Sequence, residues 1–158
     1  NGKMGAVGVA TGAVAGLVAI TPAAGFVGIY GALAIGVGAG VLCFFAVDLI
    51  NSTGLDDALD VFAVHGIGGI WGAIATGIFA VEAIGGTAGL IEGNINQVGI
   101  QVVAVLATLV YSGIVTLVIL KILDLIPGLG LRASESDENI GLDISQHGEQ
   151  ASVDDGAD

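Results

Sequence analysis

Four long apolar stretches constrain this chain more than any other feature: Met4 to about Ile20, Phe26 to Val47, Val61 to Val81, and Val98 to Leu120. Each approaches or exceeds the roughly 17–25 residues that a helix needs to cross a bilayer. Between them lie the turn Thr21-Pro22-Ala23-Ala24-Gly25, the polar loop Asp48 to Asp60, and the Gly- and Asn-rich loop Glu82 to Gln97, all carrying breakers or polar residues. The expectation is an all-α fold, a polytopic bundle of four transmembrane helices at about 4–25, 26–48, 61–81 and 98–124. Only 11% of residues are charged, against about 25% in soluble domains, and that charge is unevenly spread. The chain is nearly all apolar up to Ile126 and polar and acidic from Pro127. This divides it into a transmembrane region, 1–126, and a C-terminal tail, 127–158.

Orientation follows from the three cations, since cytoplasmic loops are enriched in Lys and Arg. Lys3 precedes the first helix, Lys121 and Arg132 lie at the end of the fourth, and the two outward loops, 21–25 and 82–97, have neither. Both ends are therefore expected on the cytoplasmic side of a cell membrane. The chain starts Asn1-Gly2-Lys3, with no initiator Met and no cleavable signal pattern, and is expected to be a portion of a longer protein. Glycines and other small residues recur at helical spacing: Gly8, Gly12, Gly16; Gly36, Gly40; Gly68, Gly72, Thr76; Gly69, Ala73, Gly77. Such stripes let helix backbones approach closely in lipid. They report packing and identify no substrate.

Several function classes are excluded or weakened. A net charge of −12 argues against nucleic-acid binding, which needs a basic footprint, and fits a high-salt cytoplasm. The lone Cys43 permits no disulfide within the chain and reads as a small buried hydrophobe. One membrane histidine and the tail residue His147 make no metal-ligand set, and no cofactor is expected. From residue 127 onward eight carboxylates face one Arg, so the tail reads as solvated and mobile, with Val153 to Asp158 best left disordered.

Within the third apolar stretch, Asp60-Val61-Phe62-Ala63-Val64-His65-Gly66 places an imidazole where charging it costs on the order of 3 kcal/mol. His65 is therefore expected to face the bundle interior or a conduction path rather than lipid. A neutral imidazole offers one donor and one acceptor, enough to bond a small polar solute and relay a proton. The competing reading is a structural histidine bonded to a neighbouring helix. The spacing of Asp57, Val61 and His65 stacks them on one face of the third helix. Asp57 and Asp60 lie at its N-terminal end, where carboxylates cap free amides or, alternatively, form a cation-attracting vestibule. An enzymatic pairing of His65 with Asp60 is weaker, because the two share a face poorly and no Ser or Cys nucleophile lies near them.

The segment Asp60 to Gly72, followed by Thr76-Gly77-Ile78-Phe79-Ala80, resembles the tenth transmembrane helix of ammonium transporters of the Amt/Mep/Rh superfamily. Ala13 to Gly25 resembles that family's eighth helix and outer turn, and Gly141-Leu142-Asp143-Ile144-Ser145-Gln146-His147-Gly148-Glu149 resembles its C-terminal tail. The resemblance covers essentially the whole chain in order and favours the Amt branch. It implies an eleven-helix protomer of which these are helices eight to eleven, a homotrimer, and one pore per protomer. It further implies that His65 is one of two pore histidines, with Val61 lining the inner pore one turn away. Ammonium would be deprotonated near a gate and pass as ammonia, since an unpaired cation in an apolar lumen costs far more than a neutral molecule. The tail residues Gly141, Leu142, Asp143, Ile144, His147 and Gly148 would couple protomers, and a PII-type protein would act at the cytoplasmic face. The alternative is an ammonium sensor on the same scaffold; an unrelated membrane enzyme comes third.

Overall fold

The computed structural model describes residues 5–149, so Lys3, Met4 and Val153 to Asp158, on which some expectations rest, lie outside the described residues. Helix α1 (Ala6–Ile20) runs into a 3-10 turn at Thr21–Ala23, where Pro22 can occupy the opening turn because its missing N–H would be unpaired there anyway. Helix α2 spans Ile29–Thr53. Helix α3 opens as a π-helical turn, Phe62–Ile67, and continues as regular α-helix over Gly68–Phe79. After the short α4 (Glu82–Gly85) and a 3-10 turn (Leu90–Glu92) comes α5, Ile95–Asp124. Four of these segments are long and apolar enough to cross a membrane: 6–23, 29–53, 62–79 and 95–124. Among the described residues there is no strand, only a bridge between Val27 and Ala80, beside which the Val81 N–H donates to the Phe26 carbonyl at 2.8 Å.

The structure departs from expectation at the end of the second helix and in the loop after the third. Helix α2 continues past Asp48 to Thr53, because the hydroxyls of Ser52 and Thr53 donate to the Leu49 and Ile50 carbonyls, both at 2.7 Å, and Gly54 at φ +72 ends it. At 25 residues it is about 38 Å long, more than the roughly 30 Å hydrocarbon core, so its polar last turns need not enter lipid. The loop after α3 is better knit than its composition suggests. Glu92 Oε2 accepts from the Glu82 N–H at 2.7 Å, Asn94 Nδ2 donates to the Ala88 carbonyl at 3.0 Å, and Gly89 lies flat against the backbone of Ile78 and Ala80.

The chain divides into two compact units, one up to Leu109 and one from Val110. The first is built around α1, α2 and α3. Its core consists of Ala19, Ala23, Ile35, Ala39 and Ala75, each fully buried, with Trp71 and Phe79 packed against it. Such small residues bring backbones together. A Cβ on Gly72 would strike the Ala19 carbonyl, one on Gly68 would lie 3.2 Å from Cys43 Sγ, and one on Gly77 would lie 2.9 Å from Val98 Cα. Thr76, also buried, satisfies its hydroxyl on the Gly72 carbonyl at 2.7 Å. Gly38, which belongs to none of the expected stripes, lies under the Trp71 ring, whose Nε1 donates to the Ile35 carbonyl at 3.0 Å.

Only part of the glycine pattern is used within the chain. Gly8, Gly12, Gly16, Gly36, Gly40 and Gly69 would each accept a Cβ with nothing within 4 Å. Helix α5 has no buried residue along its 30 positions.

In the second unit the tail is more ordered than an acidic run implies. Ser134 caps α6 (Glu135–Ile140), its hydroxyl accepting from the Asp137 N–H at 3.2 Å. Arg132 Nε meets Glu138 Oε1 at 2.9 Å. A π-helical turn follows at Asp143–His147. The glycines on either side of it, Gly141 at φ +101 and Gly148 at φ +66, adopt backbone conformations that other residues rarely take. Together these elements and their caps cover 134–149. Leu142 and Ile144 remain half exposed.

Candidate functional site

The site begins in the loop before α3. Asp57 precedes the helix, so Asp57, Val61 and His65 do not form the three-step helical stack that their spacing suggests. Instead the Asp57 carboxylate folds over the helix start, Oδ1 accepting from the Val61 N–H at 2.8 Å and Oδ2 from the Phe62 N–H at 2.9 Å. First-turn amides lack intrahelical acceptors, and a carboxylate there also meets the positive end of the helix dipole. Asp60, at φ +54, is the one described non-glycine residue in the left-handed region, which Asp tolerates better than most. This reversal brings Asp57 within reach, while the Asp60 carbonyl accepts from the Val64 N–H at 2.8 Å.

His65 follows inside the π-helical turn. One side of that turn is anchored: Ala63 and Val64 are buried, and the Cys43 thiol lies 3.9 Å from the Val64 carbonyl. The other side is open. His65 is exposed, and among the described residues its imidazole makes no hydrogen bond.

Two hollows meet at His65. One, about 350 Å³, is walled by Phe62, Gly66, Gly69, Ile70 and Ala73 of α3 and by Ala104, Val105, Thr108 and Leu109 of α5. The other is a shallow groove against Leu17, Val18, Thr21, Pro22 and Gly69. Gly66 is required for this shape, since a Cβ there would press on the Phe62 ring at 3.2 Å. Both walls are mostly apolar.

Thr21 and Thr108 are the residues that sequence reasoning missed. Thr21 Oγ1 donates to the Leu17 carbonyl at 2.7 Å, which leaves its oxygen as an acceptor beside the groove. A hydroxyl inside or at the end of an otherwise apolar stretch is the signal that could have found them. The remaining expected residues lie apart from the imidazole. Val61 is 51% exposed at the helix start. Asp60 lines a different hollow of about 270 Å³, together with Thr11, Cys43 and Asp48. Gly141, Leu142, Asp143, Ile144, His147 and Gly148 form the second unit's π-helical turn and its flanks, where the Glu149 N–H closes onto the Asp143 carbonyl at 2.9 Å.

Long apolar helices packed through glycine and alanine, with one unpartnered imidazole set among apolar walls, define a multi-pass α-helical membrane protein. The pattern of the Ammonium Transporter Family matches residues 1–152. The chain belongs to that family. It is 47% identical to the ammonium transporter Amt1 of Archaeoglobus fulgidus over 151 residues, which cover 96% of this chain and 38% of that protein. It is 53% identical to an ammonium transporter of Aquifex aeolicus, over 95% of this chain and 35% of the relative. The structure of Saccharomyces cerevisiae Mep2 superposes with a TM-score of 0.78 at 41% identity, covering 85% of this chain and 31% of Mep2. The chain thus spans between 31% and 38% of the length of these proteins.

Proposed function

We propose that the chain forms the C-terminal part of an ammonium transporter protomer and that His65 carries a proton-relay and hydrogen-bonding role along the ammonium path. The observation that carries this is the exposed, unpartnered imidazole of His65 opening onto mostly apolar hollows. Apolar walls disfavour a bare cation and admit neutral ammonia. A proton removed from ammonium then needs a group able to accept and donate, and an imidazole does both. Asp57 serves as helix cap, and Val61 lines the path toward the cytoplasmic end.

The open small-residue faces of α1 and α2, at Gly8, Gly12, Gly16, Gly36 and Gly40, support assembly with further helices, and we assign the whole to a homotrimer. Both ends of the chain face the cytoplasm. The half-exposed Leu142 and Ile144 support a docking role for the tail, on its own or a neighbouring protomer or beneath a PII-type regulatory protein.

Growth on limiting ammonium tests the transport reading. The full-length protein, produced in a host stripped of its own ammonium transporters, is expected to restore growth, and His65→Ala is expected to remove that rescue at equal membrane abundance. Failure of the unmodified protein to restore growth or to take up ammonium would overturn it.

A further inference from the structure

From the geometry around the start of α3 we propose that Asp57 is a positioning residue for His65, acting through the π-helical turn rather than through its charge. The inference rests on the reading of His65 given above and extends it to the device that aims the imidazole. Three observations support it. Both Asp57 oxygens are used on consecutive amides, Val61 and Phe62, the two residues that lead directly into the π-helical segment Phe62–Ile67. The same clasp is backed by strain: Asp60 holds φ +54, and its N–H donates to the Asp57 carbonyl at 2.9 Å, so side chain and main chain of Asp57 grip the turn together. Lastly, within the segment Phe62–Ile67 the buried residues are Ala63 and Val64, so the anchor on that side is short.

A π-helical turn advances each residue by a smaller angle than an α-helix does, and it persists only where its surroundings hold it. With the clasp released, the segment is expected to relax toward the regular α-helical angle. Relaxation would turn residue 65 relative to the anchored Ala63 and Val64, away from the hollow it shares with Phe62 and Ile70. Asp57 itself touches neither hollow wall at His65.

The test compares charge with cap geometry. In the full-length protein, Asp57→Asn keeps one of the two side-chain acceptors but no charge, whereas Asp57→Ala keeps neither. Asp57→Ala is expected to lower the maximal ammonium uptake rate about fivefold at equal membrane abundance, the factor corresponding to the loss of one helix cap. Asp57→Asn is expected to recover most of it. The double variant Asp57→Ala with His65→Ala should be no slower than His65→Ala alone, since a residue that acts through another adds nothing once that partner is gone. Equal losses in the Asn and Ala variants, with the rate of thiol modification at position 65 unaltered in both, would assign the effect to charge and overturn the proposal. Multiplicative losses, or an unaffected Asp57→Ala where His65→Ala is impaired, would also overturn it. Geometry is read separately in a Cys43→Ala, His65→Cys background, where the rate of thiol modification at position 65 should change several-fold on adding Asp57→Ala. That rate does not depend on whether His65 carries transport. An altered rate with unimpaired transport in His65→Ala would sink the relay reading while leaving the positioning device in place, and an unaltered rate would remove the device.

Discussion

Gly72 and Gly69, three residues apart on α3, carry opposite loads. A Cβ on Gly72 would collide with the Ala19 carbonyl of α1, whereas one on Gly69 meets nothing within 4 Å. Overpacking a close backbone contact costs typically 1–3 kcal/mol. Gly72→Leu is therefore expected to lower the thermal stability of the detergent-solubilised protein sharply, and Gly69→Ala to leave it nearly unchanged, by fluorescence-detected size exclusion after heating. The two look alike in sequence, both in stripes of small residues four apart. What separates them is the direction in which the neighbouring helix lies. For the same reason Gly38 was not legible: its partner, Trp71, is on another helix, and nothing in the spacing of α2 announces it.

At the scale of elements, Gly141 is the most exposed to test. Its φ of +101 and the proximity of Asp143 Oδ1, 2.8 Å from an ideal Cβ, both oppose a side chain. Gly141→Val is expected to cost about 1–3 kcal/mol locally and to unravel the Asp143–His147 turn. Increased proteolytic cleavage after Arg132, together with a loss of transport similar to that of a chain truncated there, would mark it. Full activity in both, with loss only of inhibition by a PII-type partner, would make the tail a regulatory handle instead. This glycine was legible because two turn-forming residues flank a pair of apolar ones. The π-helical turn at Phe62–Ile67 was not, since those six residues read equally well as α-helix and the choice lies in the Asp57 clasp. The end of α2 was misplaced for a related reason. Asp48, Asn51, Ser52 and Thr53 look like loop, yet two hydroxyls turn back onto helix carbonyls, and a helix longer than the hydrocarbon is thick can afford a polar end.

For the whole molecule, the four spans were legible from apolar length alone, which is the strongest signal that a membrane imposes on sequence. His65, the centre of the proposed site, stands out in the sequence because an ionisable group in an apolar stretch is conspicuous. Its surroundings do not, because the side of each hollow that faces α3 comes from a helix far away in sequence. From the cytoplasmic start proposed above, three crossings put the 82–97 loop outside and the fourth puts the tail inside. With Cys43 removed, a cysteine at Asn94 is expected to react with an impermeant thiol reagent added outside intact cells, and one at Ser136 is not. The reverse pattern would invert the topology.

The central claim, that His65 serves the ammonium path, is tested most directly by ammonium-evoked current in proteoliposomes of the full-length protein on a solid-supported membrane. His65→Ala is expected to lower that current about a hundredfold, the lower end of what a well-placed proton-transfer group contributes, with the protein still folded and inserted. A current equal to that of the unmodified protein, at equal protein density, would contradict the account and leave the imidazole without a role in transport.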